Sequence, residues 1–154
     1  MSAPHVLTVR ELLDYLLSLG IARGEIEVRD TTYACVSKSH MLGAHYDSVT
    51  RLLFDLGLIE WEDDWDCEDF TMTYVWWSII AHRKAQRAAG QFYANSPAVF
   101  ECWVLGISHA IALAIEWDAE RGELRHFFIE PQPQASRREL EVSASDLLTV
   151  GLLK

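Results

Sequence analysis

The feature that most constrains this chain is a change of hydrophobic period near its middle. From Glu68 to Ala89 apolar residues recur at helical spacing, with Phe70, Tyr74, Trp77, Ile80 and Ala81 on one stripe. His82–Arg87 lie near a basic end of that stretch, and Gly90 is placed to close it. Beyond it the pattern is that of strands. Val99–Leu105 and Ala110–Trp117 are rich in Val, Ile, Trp and Phe, and Leu124–Ile129 reads as a return strand after a hairpin loop over Trp117–Glu123. The segment before the long helix is helical too. Val9–Leu19 carries Leu12, Leu13, Leu16, Leu17 and Leu19 on an amphipathic pattern, with Thr8 as N-cap and Gly20 as stop. Ser48–Leu56 predicts a second helix ended by Gly57. Glu25–Ala34 reads as loop or short strand, Pro131–Arg138 as a polar loop, and Leu147–Leu153 as a last edge strand. Helices first and antiparallel strands after define an α+β class, with N-terminal helices and a long central helix packed on a small antiparallel sheet. With no repeat or low-complexity linker, residues 1–154 are read as a single domain.

Bulk properties narrow the function classes. The formal charge is −10, which repels phosphate backbones, and the only basic clusters, Arg83–Lys84–Arg87 and Arg137–Arg138, read as solvated faces. Nucleic acid is therefore not an expected partner. The longest apolar runs, Tyr74–Ala81 and Val99–Ile115, are interrupted and fall short of a membrane span, and no secretory pattern opens the chain. Three cysteines, an odd and sparse set, argue against a disulfide framework and for a reducing, cytoplasmic setting. Cys35 and Cys102 sit among apolar neighbours and read as core thiols. His40, His45, His82 and His126 show no spacing that points to a metal. A zinc site is disfavoured because closely paired cysteines are missing.

Cys67 is different. It stands directly before the long helix, where unpaired N–H groups and the helix dipole favour a thiolate. A nucleophilic thiol needs a base, and the base needs an orienting group. His109 lies at the start of a strand in Gly106-Ile107-Ser108-His109-Ala110, and Glu130 ends the return strand in Ile129-Glu130-Pro131-Gln132. Neighbouring antiparallel strands bring such a pair side by side. Around Cys67, seven of the twelve residues Leu58–Asp69 are acidic: Glu60, Glu62, Asp63, Asp64, Asp66, Glu68 and Asp69. Together they oppose thiolate formation. Either most of them point into water, or a cation neutralises them; oxygen donors of this kind suit Ca²⁺ or Mn²⁺. The six tryptophans read as mostly core, with Trp61 or Trp65 available to wall a substrate groove beside Cys67.

The segments Asp66-Cys67-Glu68-Asp69-Phe70, Ser108-His109-Ala110 and Ile129-Glu130-Pro131-Gln132 resemble the papain-like C-terminal domain of the MOA-type mushroom agglutinin. They resemble equally the small phage-encoded proteins described as lectin MOA-related. The likeness spans roughly Tyr33 to Glu130 and beyond. It implies a papain-like fold and a calcium- or manganese-dependent cysteine peptidase. Cys67 would be the nucleophile, His109 the base and Glu130 the orienting acid, with Asp63, Asp69, Gln132 and Glu130 on the metal. The agglutinin's sugar-binding module has no counterpart here. The expected partner is a peptide or protein substrate, in the host cytoplasm for a phage-encoded chain, and the oligomeric state is left open, a dimer included. The rival class is a non-catalytic binding protein that grips a host protein or a small molecule in the same cleft. A purely structural acidic domain is a third.

Overall fold

The computed structural model describes residues 4–63, 65–104, 108–143 and 146–151, the last four of these by backbone only. Strand β1 (Val6–Thr8) runs into helix α1 (Val9–Ser18). Thr8 and Glu11 form a reciprocal capping box, the Thr8 N–H donating to Glu11 Oε2 at 2.8 Å and the Glu11 N–H to Thr8 Oγ1 at 3.3 Å. A 3₁₀ turn (Arg23–Glu25) and two short strands, β2 (Ile26–Glu27) and β3 (Thr32–Ala34), occupy the stretch read as loop or strand. Next come a helical turn α2 (Lys38–His40), a π-helical turn (Met41–His45) and α3 (Tyr46–Leu56). Helix α3 ends at Gly57 in the left-handed region, φ 72°, where a side chain would be strained.

Helix α4 (Cys67–Ala89) is the long central element. Asp66 caps it, its carboxylate accepting from the Glu68 N–H at 2.9 Å while Asp69 reaches back to the Asp66 N–H at 3.1 Å. The stripe expected from apolar spacing is only partly the buried one. Phe70 and Tyr74 are in the core, but Ile80 is 43 % exposed, and the buried face continues instead through Thr71, Val75, Ser78, His82 and Gln86. Each polar member of that face is hydrogen-bonded: Thr71 to the Ala110 carbonyl, Ser78 to the Val75 carbonyl, and His82 and Gln86 to the Ala94 carbonyl. This removes most of the cost of burying them.

After β4 (Ser96–Pro97) come β5 (Val99–Val104), β6 (His109–Asp118), β7 (Glu123–Ile129), β8 (Glu139–Leu140) and β9 (Leu147–Gly151). They build a six-stranded sheet in the order β2-β9-β5-β6-β7-β8, beside a three-stranded sheet β1-β3-β4. Strand β9 corrects the expectation of an edge. It lies between β2, to which it is parallel, and β5, to which it is antiparallel. Both faces of the larger sheet are covered. Ile111, Leu113 and Ile115 of β6 join Leu12 and Leu16 of α1 in one core, while Ala112 and Ala114 join Phe70, Tyr74 and Leu53 in the other. Small residues on the second face let α4 lie close to the strand. The architecture is α+β, as expected. The tryptophans depart from expectation: Trp61 is 55 % and Trp76 48 % exposed, and none belongs to the fully buried set. Among the described residues no helix is long and apolar enough to cross a membrane.

Candidate functional site

Three elements position the three candidate residues. Cys67 is the first residue of α4, fixed there by the Asp66 cap. His109 is the first residue of β6, and the residue before it, Ser108, takes a left-handed conformation at φ 47° that a residue with a side chain adopts at some cost. The β6–β7 pairing runs from Asp118–Glu123 to Ala112–Ile129, so His109 and Glu130 leave the same end of that hairpin. His109 Nε2 and Glu130 Oε2 are 2.5 Å apart. The sulfur of Cys67 accepts from the N–H of Ala110, the residue next to His109, at 3.5 Å. The sulfur is thus seated on the backbone of the residue next to His109, whose ring meets the carboxylate.

The protonation logic follows from the atoms used. A carboxylate only accepts, so the His109 Nε2 carries the proton and, in the neutral ring, Nδ1 is left with a lone pair. The hydrogen bond that His109 donates to Glu130 raises the His109 pKa above the ordinary imidazole value, against the opposing effect of burial. Glu130 itself is 7 % exposed, and its second oxygen accepts the Gln132 N–H at 3.1 Å. The other two thiols are unsuited to chemistry. Cys35 is buried, its pKa pushed up to about 12 by desolvation, and Cys102 is fully buried and pushed up for the same reason.

Four of the carboxylates around Cys67 settle in the first of the two ways the sequence left open: Glu60, Glu62, Asp63 and Glu68 are exposed. Water and salt screen such charges. Asp66 and Asp69 are engaged in the helix cap, and Asp64 lies outside the described residues. Asp63 lies in the turn closed by paired hydrogen bonds of 3.0 Å between Glu62 and Trp65. Among the described residues no group of three or more His, Cys, Asp and Glu side chains is arranged to hold a metal ion. Asp69 serves the cap, and both Glu130 oxygens have partners. Trp65 packs edge-on against Phe70 and, with Asp69, Met72, Thr73 and Trp76, lines an open depression of about 380 Å³. At 100° per residue these α4 positions lie on the side turned away from Cys67, so this is not a groove beside the thiol.

The residue that sequence reasoning missed is Tyr46. Its hydroxyl stands 2.9 Å from the carbonyl oxygens of both Glu130 and Gln132 and so pins the segment that presents the carboxylate. Arg138 stacks over the Tyr46 ring at 4.4 Å and pairs with Asp47 at 2.8 Å. Nothing local to Tyr46 signals a role 84 residues downstream.

No family model and no curated protein matches the chain. Solved structures do match, and they define the fold first: an α+β domain of a kind found in a mushroom lectin. One is PSL1a, the Polyporus squamosus lectin, in complex with E64, at a TM-score of 0.67 and 16 % identity over 96 % of this chain and 51 % of that one. Another is Polyporus squamosus lectin bound to the human-type influenza-binding epitope Neu5Acα2-6Galβ1-4GlcNAc, at a TM-score of 0.66 and 16 % identity over 96 % and 49 %. The chain therefore spans about half the length of each, and at this identity the likeness is one of fold.

Proposed function

We propose that this domain is a papain-like thiol hydrolase whose nucleophile is Cys67, with His109 as base and Glu130 as the group that orients it. The single observation that carries the reading is the 2.5 Å contact of His109 Nε2 with Glu130 beside a sulfur seated on the Ala110 N–H. In the proposed cycle the Cys67 proton passes to His109 Nδ1 as sulfur attacks the carbonyl carbon of an amide. The amine leaves with that proton, and water then releases the acid from the thioester. First-turn N–H groups of α4 would hold the oxyanion, though not that of Glu68, which the Asp66 carboxylate already engages. Calcium or manganese on Asp63, Asp69, Glu130 and Gln132 is a separate proposal resting on the family resemblance, and no step runs through it.

A second reading is a non-catalytic binding protein that uses the same cleft. The comparisons taken by themselves favour it, because both neighbours are lectins and one was solved with a glycan epitope.

One experiment separates these readings. Chelator-treated protein, with and without millimolar Ca²⁺ or Mn²⁺, is divided into two portions, one incubated with E64, an epoxide that opens on a thiolate, and the other offered a peptide library. The expected result is a covalent adduct on Cys67 and peptide cleavage that Cys67→Ala abolishes. An adduct without cleavage, together with retention of a glycan or host protein, sustains the binding reading. No adduct in any condition removes the activated thiol. Faster adduct formation with either cation supports the four-ligand site, and an unchanged rate discards it while leaving the triad intact.

A further inference from the structure

A second cavity lies far down α4 from the triad. It measures about 200 Å³ and is bounded by the π-helical turn, the stretch Ser78–Ala85 of α4, Tyr93 and Pro97. Those α4 residues are 11 to 18 positions beyond Cys67, which is about 16–27 Å along the helix. The site is independent of the thiol.

Its walls are mostly apolar, and their buried polar side chains other than His45 are engaged. His82 and Gln86 hold the Ala94 carbonyl at 3.1 and 3.0 Å, and Gln86 Oε1 accepts from the Tyr93 N–H at 2.7 Å. Ser78 donates to the Val75 carbonyl at 2.6 Å, and Ser37 is bonded to Ser39 at 2.9 Å. His45 is the exception. It is 4 % exposed, and its Nε2 has no hydrogen-bond partner. The ring stands edge-on to Tyr74 at 4.8 Å and is brought inward by the π turn, a kind of helical irregularity frequent at functional sites. Burial holds the imidazole pKa down to about 4, so at neutral pH the ring is uncharged. A buried ring nitrogen without a partner is destabilising, and a suitable donor would recover that loss.

We propose that this cavity binds a small, neutral, planar ligand carrying one hydroxyl or N–H group, which donates to His45 Nε2 while its apolar body fills the space among Val36, Met41, Ala81 and Pro97. The size fits a single substituted ring, since a dry cavity of about 150 Å³ takes benzene. The absence of any charged group among the lining residues other than histidine rules against an ionic ligand, which would be desolvated there without a counter-charge.

The test uses phenol as donor-bearing probe and toluene as a matched body without a donor. Binding is followed by melting temperature and by the ring resonances of His45. The expected result is that phenol raises the melting temperature, shifts the His45 signals and binds at least tenfold better than toluene. His45→Phe should erase that preference. Should His45→Phe fail to fold, Ala85→Trp, at the exposed rim of the cavity, should block both probes instead. Equal binding of phenol and toluene overturns the role given to His45. Binding of neither reduces the cavity to a site for ordered water and overturns the proposal as a whole.

Discussion

Glu130 shows how much of this site rests on single side chains. A carboxylate this buried is tolerated because Oε2 meets His109, Oε1 meets the Gln132 N–H, and Tyr46 steadies the backbone at Glu130 and Gln132. Removing the carboxylate leaves that N–H and the ring unpaired. Glu130→Ala is expected to lower unfolding free energy by about 1–3 kcal/mol. Glu130→Gln, which keeps an acceptor for Gln132, should cost less. The pH dependence has a definite sign. The His109 pKa is raised on folding, so the stability from the pair is fully present below the ordinary imidazole value of 6.5 and is lost as pH rises through the higher folded value. Urea midpoints at about pH 6 and pH 9 check this. The wild type should lose stability from this pair between them, and Glu130→Gln should flatten that loss.

At the scale of elements, the start of α4 both ends an acidic loop and places the thiol. The Asp66–Asp69 capping box satisfies first-turn N–H groups and sets where Cys67 sits relative to Ala110. Asp66→Ala is expected to cost about 1 kcal/mol, as N-cap losses generally do, and to slow alkylation of Cys67. Thr8→Ala removes an equivalent capping box from α1 and should cost about the same without touching the thiol. Chemical denaturation paired with labelling rates separates these outcomes. Equal effects of both variants on labelling would mean that the cap does not position the sulfur.

Across the whole molecule, what the sequence revealed was what is encoded locally. The bounds of α1 and the end of α4 were legible because Thr8, Gly20 and Gly90 are chemical stops, and β5 to β7 because apolar runs alternate with a turn holding Asp118 and Gly122. The pairing of His109 with Glu130 was legible through their positions at the ends of neighbouring strands. What stayed hidden depends on distant pairing. The contacts of Tyr33 with Ser96 and of Ile26 with Val150 join strands of two to five residues with no period to read, so β9 looked like an edge. The buried face of α4 was obscured because Thr71, Ser78, His82 and Gln86 are polar by composition and become core-compatible only through hydrogen bonds, Ser78 within its own helix and the others to partners on other elements or nearby turns. His45 was hidden for the same reason, as its burial comes from a turn that no spacing announces.

The central claim, that Cys67 is activated by the His109–Glu130 pair, is tested most directly by the rate of iodoacetamide alkylation of each thiol across pH 5 to 9 in the folded protein. The account predicts that Cys67 reacts at least tenfold faster than Cys35 and Cys102 near neutrality, and that His109→Ala slows it about tenfold in protein that is still folded. Equal rates for all three cysteines, or a Cys67 rate indifferent to His109→Ala, would contradict it.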